Sequence, residues 1–154
     1  MTTEAQLPTA WLALFDGERL ADKISETALL ATVDDGGWSH LAFLSMGEVV
    51  AKDRKRLVTA TWPRSRTTAN MVRTGQAVLY AAAEGLVWET RLKVSALDVV
   101  TEDGSHLTAG EIVDVRRHEA PYAYLDTLAS FRLNAPEPTL ERWMRQVTAM
   151  KRHL

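Results

Sequence analysis

Ala60–Met71 reads ATWPRSRTTANM, and the reading of this stretch decides the fold. It completes the run RLVTATW (Arg56–Trp62), in which apolar and polar residues alternate as they do on a half-buried strand. Pro63 has no N–H for a ladder and ends that strand. Ser65 is a good helix N-cap, and Gly75 stands where a left-handed C-cap residue belongs. The sequence therefore predicts a short helix from Ser65 through Arg73, entered directly from a strand. The first-turn N–H groups of such a helix have no internal partners and carry partial positive charge. Arg64, Arg66 and the hydroxyls of Ser65, Thr67 and Thr68 surround this helix start, and its first turn holds no carboxylate. Free amides, hydroxyl donors and a guanidinium together suit a phosphate. A capped surface helix with solvated arginines is the other reading of the same residues.

Upstream, ALLATVD (Ala28–Asp34) is a short apolar run that ends in the turn signal DDGG. WSHLAFLSMGEVVA follows from Trp38 and reads as one long strand, kinked at Gly47. Downstream, AVLYAAA (Ala77–Ala83) and LVWETRLKVSALDVV (Leu86–Val100) form a second hairpin around Glu84 and Gly85. LTAGEIVDVRR (Leu107–Arg117) supplies a sixth strand after the turn at EDGSH. At the start of the chain, Thr9 can cap a helix carrying Trp11, Leu12, Leu14 and Phe15, continuing to about Ser25 with a break at Gly17. At the end, PYAYLDTLASFRL reads as a helix after Pro121. In PTLERWMRQVTAMKRHL, Leu140, Trp143, Val147, Met150 and Leu154 recur at spacings of three and four and line one helix face, for core or subunit packing. Strands gathered in the middle and joined by short turns predict a mainly β domain, a six-stranded antiparallel barrel with flanking helices, and not alternating βαβ units. Residues 1–154 form a single domain on this reading, with helices over about 9–25 and 121–152 and the barrel over about 28–117.

The chain has 154 residues, 46% apolar and 25% charged, as an ordinary globular domain does. Its net charge of -2 gives no global attraction to nucleic acid or to an anionic membrane, so neither is an expected partner. Absence of cysteine excludes disulfides, thiolate metal sites and a cysteine nucleophile. MTTEAQLPTAW lacks the basic start and long apolar stretch of a secretion signal, and no apolar run approaches the roughly 20 residues of a membrane span. The cytoplasm is the expected location. His40, His106, His118 and His153 show no i, i+4 pair and no HExxH motif, so no metal site is expected. His40 is assigned to the exterior of its strand. Neither GxxxxGK nor GxGxxG occurs, and no GxSxG elbow suggests a hydrolase. KDRKR (Lys52–Arg56) reads as a solvated loop. The five tryptophans suit core or interface, with Trp62 set apart by its place beside the helix start.

ALLATVDDGGWSHLAFLSMGEVVAKD, RLVTATWPRSRTTANM and VLYAAAEGLVWETRLKV together resemble the FMN-binding split β-barrels related to pyridoxamine 5′-phosphate oxidase. The likeness runs from about Ala28 to Arg117 and is most specific around WPRSRTTAN; the tail stretches resemble those of small members. It implies a homodimer with two FMN sites at the subunit interface. The family's phosphate-binding Ser-Arg-Lys-like run falls on Ser65, Arg66 and Thr67, so a threonine stands at the lysine position; Arg64 is the candidate substitute. By the same resemblance, Thr61 and Trp62 lie along the ribityl chain or ring edge, and Leu44, Ser45, Met46 and Gly47 flank the isoalloxazine. Asn70 is one turn into the helix and within reach of the ligand, and Trp88 can approach the ring across the interface. The further basic residues of the vitamin oxidase have no match here, although Arg132 and Arg142 are present. The implied function is thus that of an FMN-dependent oxidoreductase acting on a small redox substrate. A non-catalytic flavin-binding or sensing module, and a reductase using the deazaflavin F420, are the alternatives. No side chain stands out in the sequence as an acid–base catalyst.

Overall fold

The computed structural model describes residues 5–154. Helix α1 (Thr9–Leu14) leads to a 3-10 turn at Leu20–Lys23. Four strands follow: β1 (Thr27–Val33), β2 (Ser39–Ser45), β3 (Val49–Ala51) and β4 (Arg56–Thr61). Helix α2 (Arg66–Thr74) precedes β5 (Gln76–Ala83), β6 (Leu86–Val100) and β7 (His106–His118), and α3 (Pro136–Lys151) closes the chain. All pairings are antiparallel, in the order β2-β1-β5-β6-β7-β4-β3.

That order dictates the shape. Strands β2 and β3 are the two edges of a seven-stranded sheet, yet only Met46, Gly47 and Glu48 lie between them. Seven strands laid flat would hold their edges about 29 Å apart. Four peptide steps from Ser45 to Val49 reach at most about 14 Å. The sheet must therefore curl until its edges meet, giving a half-barrel. Register shifts in the β6–β7 pairing, between Arg91 and Leu92 and between Ala96 and Val100, add local bends of the kind that β-bulges provide.

The corner also explains why there are seven strands and not the six expected. The stretch read as one strand from Trp38 to Ala51 is cut by a turn that satisfies its own polar groups. Glu48 N–H donates to Ser45 O at 3.1 Å, Gly47 N–H to Ser45 Oγ at 3.2 Å, and Ser45 N–H to the Glu48 carboxylate at 3.0 Å. Glycine is required at the corner because Trp143 of α3 fills the space a side chain would need. A Cβ at position 47 would lie 2.2 Å from Trp143 Cγ.

The core runs from Leu7, Trp11 and Phe15 through Leu30, Leu44, Leu79 and Leu107 to Trp143, Val147 and Met150. Trp11 and Phe15 meet edge to face at 5.2 Å. The apolar stripe expected on α3 holds: Trp143, Val147 and Met150 are buried, with Leu140 and Leu154 packed beside them. Among the described residues no helix is long and apolar enough to cross a membrane.

Two expected helices differ. The first stops at Leu14 and does not reach Ser25, and Thr9 sits inside it without capping it. Gly17 takes a positive φ of 73° under Val147, where a Cβ would clash at 2.5 Å. Lys23 then donates to the carbonyls of Ala13 and Leu14 and to Asp16, which satisfies the helix end. The stretch from Pro121 to Leu133 is not helical. Its backbone finds partners elsewhere: Leu125 N–H donates to Gly85 O, and Ala129 O accepts from Thr27 Oγ1. Tyr122 and Tyr124 are exposed, so no apolar helix face is buried there.

The contact at Gly47 gives the first prediction. Gly47→Ala must displace the indole of Trp143, an overpacking that costs about 1–3 kcal/mol. Urea unfolding should show a lower midpoint at unchanged slope; an unaltered midpoint would mean the corner has slack.

Candidate functional site

The strand-to-helix joint forms as its sequence predicts. Ser65 is the N-cap of α2, and its Oγ accepts from Thr68 N–H at 3.1 Å. Gly75 closes the helix in the left-handed conformation, and its N–H donates to Met71 O. Several hydroxyls at the joint are used internally. Thr68 Oγ1 donates to Trp62 O at 2.7 Å and shares a 2.6 Å bond with the Thr61 hydroxyl. Ser65 Oγ donates to the same Trp62 carbonyl at 2.9 Å. What remains free is narrower and better defined. Among the described residues, neither the Arg66 nor the Thr67 N–H meets an acceptor, and Thr67 Oγ1 has no protein partner.

Thr67 and the cap residue Ser65 border a pocket of ≈ 110 Å³, and Arg66 stands between them in the chain. One wall is the inner end of β2, with Ala42, Phe43 and Leu44; another is the end of β4, with Ala60, Thr61 and Trp62. Ser65 and Thr67 come from the start of α2, and Glu48, Ser105, Arg142 and Gln146 complete the lining. The sheet corner and α3 thus bring to one opening residues that lie far apart in the chain. Phe43 and Trp62 stand exposed, 63% and 61% accessible, and set apolar side chains beside the polar ones of the lining.

The structure divides the residues named from sequence. Leu44, Thr61, Trp62, Ser65 and Thr67 line the pocket together. Arg64 and Arg66 are exposed beside it. Ser45, Met46 and Gly47 are buried in the corner behind Leu44, with Gly47 against Trp143. Asn70 is buried, and its amide is committed: Nδ2 donates to Thr32 Oγ1 at 3.0 Å and Oδ1 accepts from Arg73 at 3.1 Å. It ties α2 to β1 and does not line the opening. Trp88 lines a different cavity, with Pro8, Ala10, Arg54 and Glu84. His40 is opposite Thr32 in the β1–β2 register, on the inner face shared with Leu30 and Leu44, which corrects its assignment to the exterior.

The polar group of Glu48, Ser105, Arg142 and Gln146 was not visible in the sequence, because its residues come from three separate places. Gln146 is locked there: Ser105 Oγ donates to its Oε1 at 2.6 Å, and its Nε2 donates to Gly47 O at 3.1 Å. Arg142 lies 5.8 Å from the centre of the Trp62 ring, a cation–π contact. Its Nε is buried and has no hydrogen-bond partner. Burial pushes the Glu48 carboxyl above its ordinary range, against the opposing pull of the Ser45 N–H and the Arg142 charge.

A carboxyl raised in the folded state binds its proton more tightly there than in the unfolded chain. Stability is then lost as pH rises from the ordinary value of 4.5 through the raised one. Glu48→Gln removes that loss. Unfolding midpoints measured from pH 4 to pH 8 should move in the variant's favour as pH rises, and parallel pH curves would contradict the assignment.

No protein-family model matches the chain. The uncharacterized protein YclD of Bacillus subtilis (strain 168) is 33% identical over 141 residues, which cover 90% of this chain and 92% of that protein. Among solved structures, a pyridoxamine 5′-phosphate oxidase-like protein from Lactobacillus delbrueckii matches at TM-score 0.56 and 16% identity, over 74% of this chain and 96% of its own. An FMN-binding protein from Syntrophomonas wolfei matches at TM-score 0.51 and 15% identity, over 70% and 88%. An F420 reductase matches at TM-score 0.53 and 12% identity, over 71% and 98%. At these identities the structural likeness is one of fold. The chain belongs to the family of YclD, and its fold is the split barrel of the pyridoxamine 5′-phosphate oxidase-like FMN-binding proteins.

Proposed function

We propose that this chain is an FMN-binding flavoprotein and an oxidoreductase, working as a homodimer with the cofactor at the interface. The observation that carries the reading is the pair of unpartnered N–H groups on Arg66 and Thr67 beside the free Thr67 hydroxyl, at the edge of a pocket with an apolar rim. This donor set fits a phosphate: amides at a helix start attract the dianion, and the neighbouring guanidinium of Arg66 adds a charge-assisted contact. The threonine hydroxyl at position 67 supplies a neutral donor where the wider family has a lysine.

Trp62 and Phe43 suit the ring system, and Leu44 would pack beneath it. The pocket of one chain is too small to enclose three fused rings. A second copy laid over the exposed Phe43 and Trp62 would complete the enclosure, which supports the dimer. Bound FMN would supply electron transfer; the protein's part is to bind it, orient it and exclude water. The likeness in fold to an F420 reductase keeps the deazaflavin as the second reading, and competition between FMN and F420 for the empty protein decides between them. Turnover of NADH or NADPH with FMN bound supports an enzyme, whereas a bound and inert flavin supports a storage or sensing role.

Calorimetric titration with FMN and with riboflavin tests the phosphate site, because only FMN carries the phosphate. Arg66→Ala should weaken FMN by about one to two decades, from the roughly 1.5–3 kcal/mol of a charged hydrogen bond, and leave riboflavin nearly unchanged. Equal losses for both ligands would remove Arg66 from the phosphate.

A further inference from the structure

We infer that Glu48 is the proton-carrying residue of this pocket: a ligand that fills the opening drives a proton onto its carboxyl, so the proposed flavin binds with proton uptake. The inference rests on the FMN reading and adds to it a residue and a linked proton.

The chemistry of the lining singles Glu48 out. The other polar groups there are hydroxyls, the Gln146 amide and the Arg142 guanidinium. Hydroxyls and amides do not titrate near neutral pH, and a guanidinium keeps its proton at any working pH. Glu48 is the lining group that can gain or lose one.

The sheet corner holds the carboxyl in place. Ser45 N–H donates to its Oε2 at 3.0 Å, and Glu48 N–H donates back to Ser45 O at 3.1 Å. Trp143 and Gln146 of α3 pin the neighbouring Gly47. Glu48 cannot swing into bulk water without giving up the Ser45 bond.

Two groups favour the charged form: Ser45, which hydrogen-bonds it, and Arg142, which faces it from α3. Among the described residues no other charged side chain bears on it. Arg142 stays beyond ion-pair distance, and its field acts on Asp103 as well. Burial outweighs both. Water reaches the half-buried residue while the opening is free. A ring system seated against Leu44 and Trp62 removes that water, and a phosphate at the start of α2 adds negative charge to the same pocket. Each change disfavours the carboxylate, and neither brings it a new cation. The loaded protein therefore keeps the proton to a higher pH than the free protein. By linkage, affinity falls as pH rises through the interval between the two.

Calorimetric titration with FMN, in buffers of different ionisation enthalpy, counts the protons taken up. Glu48→Gln keeps an acceptor for Ser45 N–H and has no proton to exchange. The FMN phosphate also titrates, but in both proteins, so the difference between them belongs to Glu48. Wild type should take up more protons than the variant between pH 5 and pH 8. Its affinity relative to the variant should fall about tenfold over that range, as it does when binding raises a carboxyl by one pH unit. If the variant does not fold, the Glu48 carboxyl carbon in ¹³C-labelled wild type replaces it, and its titration should move to higher pH once FMN is bound. Equal proton uptake in the two proteins, or a carboxyl that titrates at the same pH with and without FMN, would overturn the inference and leave the flavin reading standing. No binding of FMN to wild type would remove that reading and the inference with it.

Discussion

Three residues set the shape of this molecule. Met46, Gly47 and Glu48 join the two edge strands of a seven-stranded sheet, and their reach is less than half the width of that sheet laid flat. Closure follows from chain length alone. The corner is then pinned from outside by α3, whose Trp143 occupies the place of the missing Gly47 side chain and whose Gln146 takes the Gly47 carbonyl. A polar bond and an apolar contact thus hold the same glycine, so the helix that covers the sheet also fixes where its edges meet.

The pocket is a by-product of that closure. The end of β2, the corner and the end of β4 converge there, and α2 starts where β4 stops. Its polar groups differ in kind. At α2 the donors are backbone amides, whose direction is set by the helix and whose strength comes from aligned peptide dipoles. At α3 the donor is a side chain whose charge is held over an aromatic ring. The α2 start combines a cap that leaves the Arg66 and Thr67 amides free with the guanidinium and hydroxyl that those two residues carry.

Local chemistry was the part most legible in the sequence. The cap at Ser65, the strand stop at Pro63 and the left-handed Gly75 each act within a few residues, and the structure places all of them as read. The stripe on α3 was equally clear because helical periodicity is a short-range pattern. What the sequence hid depends on distant partners. The need for glycine at 47 is imposed by Trp143, and that at 17 by Val147. The segment after Pro121 has helix-forming residues, yet Gly85 and Thr27 claim its backbone. Asn70 looked like a ligand contact from its place on the helix, but Thr32 and Arg73 hold its amide. Glu48 carried no signal, and Arg142 stood out only as a basic residue without a matching pattern, since only the fold brings the two to one opening.

In the proposed FMN complex a phosphate meets two backbone amides, and amide resonances report that contact directly. In ¹⁵N-labelled protein, adding FMN should shift the Arg66 and Thr67 amides more than any others in α2, and riboflavin should leave both in place. Shifts of equal size from the two ligands, or none at these residues with FMN bound, would contradict the central claim.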